Sequence, residues 1–128
     1  MQLFRHPALW LFLFLVWFGV TWWLSSAPRQ FPSGLQFQAS DKVLHFGWYF
    51  GGCGLFSAAL FRHRPELPAA RRILIAVAVI AVCGIIDEIH QSTVPGRDAT
   101  LGDFLADTSG ALVGALVFHK LRRFLSCR

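Results

Sequence analysis

Apolar residues fall into four long runs separated by short polar stretches. The first is Ala8–Leu24, lengthened by Leu3 and Phe4, and the second is Val43–Phe61. The third is Ile73–Ile86, continuing in more polar form to about Val94, and the fourth is Leu101–Phe118. Each approaches the ~20 residues a helix needs to cross a bilayer. All six prolines (Pro7, Pro28, Pro32, Pro65, Pro68, Pro95) stand at or beyond the ends of these runs. Proline lacks a backbone donor and clashes inside a helix, so this placement predicts uninterrupted helices at about 5–25, 42–61, 72–93 and 101–119. The expected fold is all-α, a four-helix transmembrane bundle built as one domain over residues 1–128.

The loops predict an orientation. Arg5, Arg62, Arg64, Arg71, Arg72, Lys120, Arg122, Arg123 and Arg128 lie on one side, against Arg29, Lys42 and Arg97 on the other. The positive-inside rule then places both termini in the cytoplasm and the Pro28–Ser40 loop outside. Trp22 and Trp23 fall where an outer aromatic belt is expected. The first run exceeds the usual ~7–15 residues of a signal-peptide core. Pro28 would also directly follow a cut after Ser25-Ser26-Ala27, so the run is read as a retained membrane helix.

Composition supports a lipid-solvated chain. Only 15% of residues are charged and 55% are hydrophobic, whereas soluble domains average about 25% charged. A soluble enzyme with a separate cofactor domain, a disordered tail and a secreted disulfide scaffold are excluded. The formal net charge of +5 is explained by basic loops facing anionic lipid rather than by nucleic acid. Cys53, Cys83 and Cys127 have no CxxC spacing, so they form neither a disulfide nor a zinc framework, and Cys53 and Cys83 are expected to pack as small residues.

Charged and polar residues inside or beside the apolar runs need another account. Glu66 is the one acid on the basic side; Asp41, Asp87, Glu88, Asp98, Asp103 and Asp107 lie at the opposite ends of the helices or between them. Asp41 and His45, Asp87 and Gln91, and Asp103 and Asp107 are pairs four apart, with Glu88 and His90 beside the second pair. Residues four apart share a helix face. Three helices thus present polar faces at one depth, which predicts a single polar chamber at the outer face. For Asp41 and Asp103 a plainer reading stands beside it, interaction with the helix dipole in a first turn, with Ser40 as an N-cap for Asp41. That reading fails for Asp87 and Glu88 near a C-terminus, and for the deeper Asp107. Intramembrane ionisable groups usually face the bundle interior and act there.

The acids outnumber their neighbouring cations Lys42, Arg97 and Arg29, which suits proton exchange, acid–base chemistry or a bound cation. The histidines lack HxxxH or HExxH spacing, so no metal ligands and no cofactor are assigned. Gly47, Gly51, Gly54 and Ala58 on the second helix, and Gly102, Ala106, Gly110 and Gly114 on the fourth, form small-residue faces suited to close packing in lipid. Val94-Pro95-Gly96-Arg97-Asp98 reads as a turn that sets Arg97 over the chamber.

Taken in order, Asp41-Lys42-x-x-His45-x-x-x-Tyr49, Asp87-Glu88-Ile89-His90-Gln91, Pro95-Gly96-Arg97 and Asp103-x-x-x-Asp107-x-x-Gly110 resemble the motifs of the VanZ-like family. These are small bacterial multi-pass membrane proteins named for a member associated with teicoplanin resistance. The match runs from Asp41 to about Gly114; the first helix matches in kind only. The family often has Asn where this chain has Asp107. The resemblance implies a bacterial cytoplasmic (inner) membrane protein linked to the cell envelope. It carries over Asp41, Lys42, His45, Tyr49, Asp87, Glu88, Gln91, Arg97, Asp103 and Gly110, with no settled catalytic mechanism.

Three functions follow as alternatives. In the favoured one, Asp41, Lys42, His45, Tyr49, Asp87, Glu88, Gln91, Arg97, Asp103 and Asp107 line a chamber that binds an envelope component and changes how glycopeptides reach their target. In the second, the chain is a membrane-embedded enzyme on a lipid-linked substrate, with Asp87 or Glu88 as base, His45 or His90 as proton carrier and Arg97 on a phosphate. The third is a small proton-coupled carrier, for which four helices are few unless the protein is a homo-oligomer. The expected partners are membrane lipids and a lipid-linked envelope component or glycolipid, with no nucleic acid.

Overall fold

The computed structural model of the chain describes residues 6–27, 38–97 and 99–126, and for 38–40 and 123–126 the backbone alone. The expectations placed on Arg5, Arg29, Asp98, Arg123, Cys127, Arg128 and the 28–40 loop lie outside the described residues or side chains. Four helices account for nearly all of the described chain: α1 (Pro7–Ser25), α2 (Gln38–His63), α3 (Ala69–Ser92) and α4 (Leu101–Ser126). Each is long and apolar enough to cross a membrane.

The ends follow local chemistry. Pro7 opens α1 at the position where a missing N–H costs nothing. α2 starts at Gln38, so Ser40 sits within its first turn and is not its N-cap, contrary to expectation. Thr100 caps α4: the Asp103 N–H donates to Thr100 Oγ1 at 3.2 Å, and the Thr100 hydroxyl donates to Asp103 Oδ2 at 2.7 Å. The pair differs from a capping box in that the Asp103 carboxylate accepts from the Thr100 hydroxyl rather than from its backbone N–H. α4 runs on beyond 119 to Ser126 because the segment after Phe118 holds no Pro or Gly.

The helices alternate in direction. One end of the bundle gathers the C-termini of α1 and α3 with the N-termini of α2 and α4; below it is called the acidic end. The other, basic end holds Arg62, Arg71, Arg72 and Arg122. There Arg72 donates to the Pro65 carbonyl at 2.8 Å, and both Arg72 and Arg122 lie over the Phe61 ring.

Packing is that of a protein solvated by lipid. Large apolar side chains such as Phe12, Val43, Leu74, Ile89 and Leu105 face outward, while His45, Asp87, Gln91, Asp103 and Asp107 are buried. Small residues let the backbones close. A Cβ on Gly110 would collide with the Phe46 carbonyl, one on Gly114 with the Phe50 carbonyl, and one on Gly52 with the Trp17 ring. The face predicted on α4 thus packs against α2. On α2 the expectation is corrected: Gly47, Gly51 and Gly54 meet open space, and the close approach to α1 falls on Gly52. Cys53 and Cys83 are buried free thiols in the core.

Candidate functional site

The sequence-marked polar residues at the acidic end form two adjoining nodes. The first joins α1, α2 and α3 around Asp87, which is 2% exposed. Its carboxylate accepts from the Ser25 hydroxyl at 2.5 Å, the Gln91 amide at 2.7 Å and the Tyr49 hydroxyl at 3.3 Å. The i,i+4 spacing of Asp87 and Gln91 makes the second of these bonds within one helix. Tyr49, two turns beyond Asp41 on α2, brings the third from a different helix.

α1 contributes more than its apolar sequence suggested. Phe14, Trp17, Thr21 and Ser25 form its buried stripe at helical spacing. The Trp48 indole donates to Thr21 Oγ1 at 2.8 Å, and Thr21 donates to the Trp17 carbonyl. Ser26 bonds His90 at 2.9 Å, and Trp22 stacks on the His90 ring with centroids 3.8 Å apart. The signal available in the sequence was Thr21 and Ser25, a hydroxyl pair four apart in an otherwise apolar helix. His90, a candidate proton carrier, is therefore engaged by α1 and stands apart from His45.

Arg97 also departs from its expected role. Val94-Pro95-Gly96-Arg97 closes a turn in which the Arg97 N–H reaches the Val94 carbonyl at 3.2 Å and Gly96 has φ 80°. A positive φ after proline is what a type II turn requires, and glycine meets it without strain. The turn sends the guanidinium to the end of α1, where it donates to the Leu24 carbonyl at 2.5 Å and the Ala27 carbonyl at 3.0 Å. It thus satisfies α1's terminal carbonyls rather than pairing with an acid. Partial burial lowers the Arg97 pKa from its ordinary value, against the opposing pull of Asp87 and Glu88.

The second node joins α2, α3 and α4. His45 Nδ1 donates to Asp107 Oδ1 at 2.9 Å, and its Nε2 lies 3.9 Å from Asp41 Oδ1. Lys42 reaches Asp103 at 3.4 Å. Glu88 enters from α3 with both carboxylate oxygens buried and without a hydrogen-bond partner. Gly84 leaves the space occupied by Asp107 Oδ2 and the Tyr49 ring.

Between the first node and the surface lies a cavity of about 380 Å³. Its polar wall is Thr21, Ser25, His45, Tyr49, Asp87, Gln91 and Arg97, and its apolar wall Leu24, Ala27, Leu44 and Trp48. Leu24, Leu44 and Trp48 are exposed, whereas the polar wall other than Arg97 is buried. The cavity therefore offers hydrocarbon at its rim and hydrogen-bonding groups at its base. His45 belongs to both the cavity and the second node.

No curated protein and no solved structure matches the chain. A family model described as VanZ/LLP1 matches residues 9–123, nearly the whole chain and including α1. With four membrane-spanning helices and this match, the chain is a multi-pass membrane protein belonging to the VanZ/LLP1 family.

Proposed function

We propose that the protein lies in the bacterial cytoplasmic membrane with its acidic end outward, and that the cavity there binds the polar head of an amphiphilic envelope component. The observation that carries this reading is the division of the cavity wall. Exposed Leu24, Leu44 and Trp48 suit an acyl or prenyl chain; buried Ser25, Tyr49, Asp87 and Gln91 with Arg97 suit a hydroxylated or anionic head. Pockets for small amphiphiles have this make-up, mostly apolar with a few placed polar groups. Basic loops at the opposite end support the orientation. Binding rather than acid–base chemistry is favoured at Asp87, because three donors already occupy its carboxylate. In this role the protein alters how a glycopeptide such as teicoplanin reaches its lipid-linked target.

The test uses purified protein in nanodiscs, titrated with a lipid-linked cell-wall precursor and, separately, with a zwitterionic phospholipid. Trp48 reports through its fluorescence, with Trp48→Phe as the blank. Saturable binding of the precursor, weakened at least tenfold by Leu44→Glu at the rim, supports the reading. Equal, non-saturable responses to both lipids overturn it. Expression in a glycopeptide-sensitive host then tests the envelope role through survival.

A further inference from the structure

Among the described residues, the second node gathers four acids with one lysine. Asp41, Glu88, Asp103 and Asp107 gather around His45, and Lys42, half exposed, reaches Asp103 at 3.4 Å. Asp107 is 0% exposed, and its Oδ2 has no partner. Both Glu88 oxygens are also buried without one. Unpaired buried charge costs several kcal/mol per ion. A proton on Glu88 would remove one charge but would not join all three groups at once.

A cation does. One ligand atom each from His45, Glu88 and Asp107 lie within 4.8 Å of one another, and Asp41, His45 and Asp103 form a second such group sharing the same imidazole. Ligands about 2.0–2.2 Å from one ion stand at most about 4.4 Å apart, so the three atoms of the first group must draw closer together to share one ion. We infer that His45, Glu88 and Asp107 form a divalent-cation site, with Asp41 and Asp103 as acids behind it. The donor set decides the ion class. Two carboxylates and one imidazole suit Mn²⁺ or Zn²⁺ over Ca²⁺, which takes six to eight oxygens. The three ligands come from α2, α3 and α4, so the ion ties together three helices. Through His45 it also stands behind the wall of the amphiphile cavity. The inference does not depend on what that cavity binds.

The experiment uses the full chain in detergent, stripped with chelator and titrated with Mn²⁺, Zn²⁺ or Ca²⁺ alone. Calorimetry gives stoichiometry, and a thermal melt gives the linked stabilisation. The expected result is one Mn²⁺ or Zn²⁺ per chain, a raised melting temperature and a much weaker response to Ca²⁺. Glu88→Gln, which breaks no hydrogen bond in the structure, should weaken binding at least tenfold while leaving the helical content unchanged. Asp107→Asn should do the same, with Glu88→Gln the deciding variant if Asp107→Asn fails to fold. Glu66→Gln, at the basic end, should bind as the parent does. A stripped protein that binds no Mn²⁺ or Zn²⁺, or a Glu88→Gln variant that binds either as tightly as the parent, overturns the inference. Loss of precursor binding with cation binding retained would instead count against the proposed function alone.

Discussion

His45 and Asp107 are bonded Nδ1 to Oδ1 at 2.9 Å, linking α2 to α4 between two almost fully buried side chains. The contact depends on close backbones. Gly110 and Gly114, one and two turns beyond Asp107, let α4 sit against the carbonyls of Phe46 and Phe50. Position 46 follows His45 directly, so the same approach that seats the helices brings the imidazole to the carboxylate. Packing and chemistry are one feature here.

Gly110→Ala and Gly114→Ala should therefore destabilise the bundle. The added methyl meets backbone rather than a mobile side chain, so a helix must shift, at about 1–3 kcal/mol. Gly47→Ala and Gly51→Ala point into open space and should be neutral or stabilising by up to about 1 kcal/mol through helix propensity. Unfolding curves in detergent for the four variants decide it. Equal effects on both pairs would contradict the packing described.

At Asp87 the donors come from three helices, and the effects of substitution should be unequal. Ser25→Ala removes the bond to Asp87 and a long one from Gln91 at 3.4 Å, typically ~0.6 kcal/mol each between membrane helices. Asp87→Ala removes the shared acceptor and strands Ser25, Tyr49 and Gln91, each at about 1–3 kcal/mol. The midpoint of thermal unfolding should fall several times further for Asp87→Ala. If the two variants melt together, Asp87 is not the hub.

The orientation is checked by reporter fusions. Fusions ending at Arg64, between α2 and α3, and at Val94, between α3 and α4, should report opposite sides of the membrane, with Arg64 cytoplasmic. The reverse signal would turn the acidic end inward and remove the outer-face reading of the cavity.

Much of the architecture was legible because apolar run length and proline placement are local properties. The polar layer was also legible, since i,i+4 pairs mark a face without any knowledge of the partner helix. What those pairs do not contain is rotation about the helix axis. α2 carries glycines on more than one face, Gly47 and Gly51 on one and Gly52 on another, and only the packed bundle selects Gly52. The same ambiguity made the layer read as one chamber, whereas packing divides it between Asp87 and His45. The hydrogen bonds of Arg97 were not legible for a related reason. Charge arithmetic pointed it at the acids, but α1's unsatisfied carbonyls lie nearer the turn and need donors.

Arg97 has two separable roles. Its fork serves the Leu24 and Ala27 carbonyls, and its charge lies in the cavity wall. Arg97→Lys keeps the charge but loses the two-pronged geometry, so it should cost about 1 kcal/mol of stability and retain most binding of an anionic amphiphile. Arg97→Gln loses both, and binding should fall at least tenfold below that of Arg97→Lys. Thermal melts and precursor titrations on the two variants read the roles independently. If Arg97→Gln binds the precursor as tightly as Arg97→Lys, the charge contributes nothing to recognition. Arg97 would then be the cap of α1 alone, and the cavity's ligand would be held by its hydroxyl, amide and carboxylate groups.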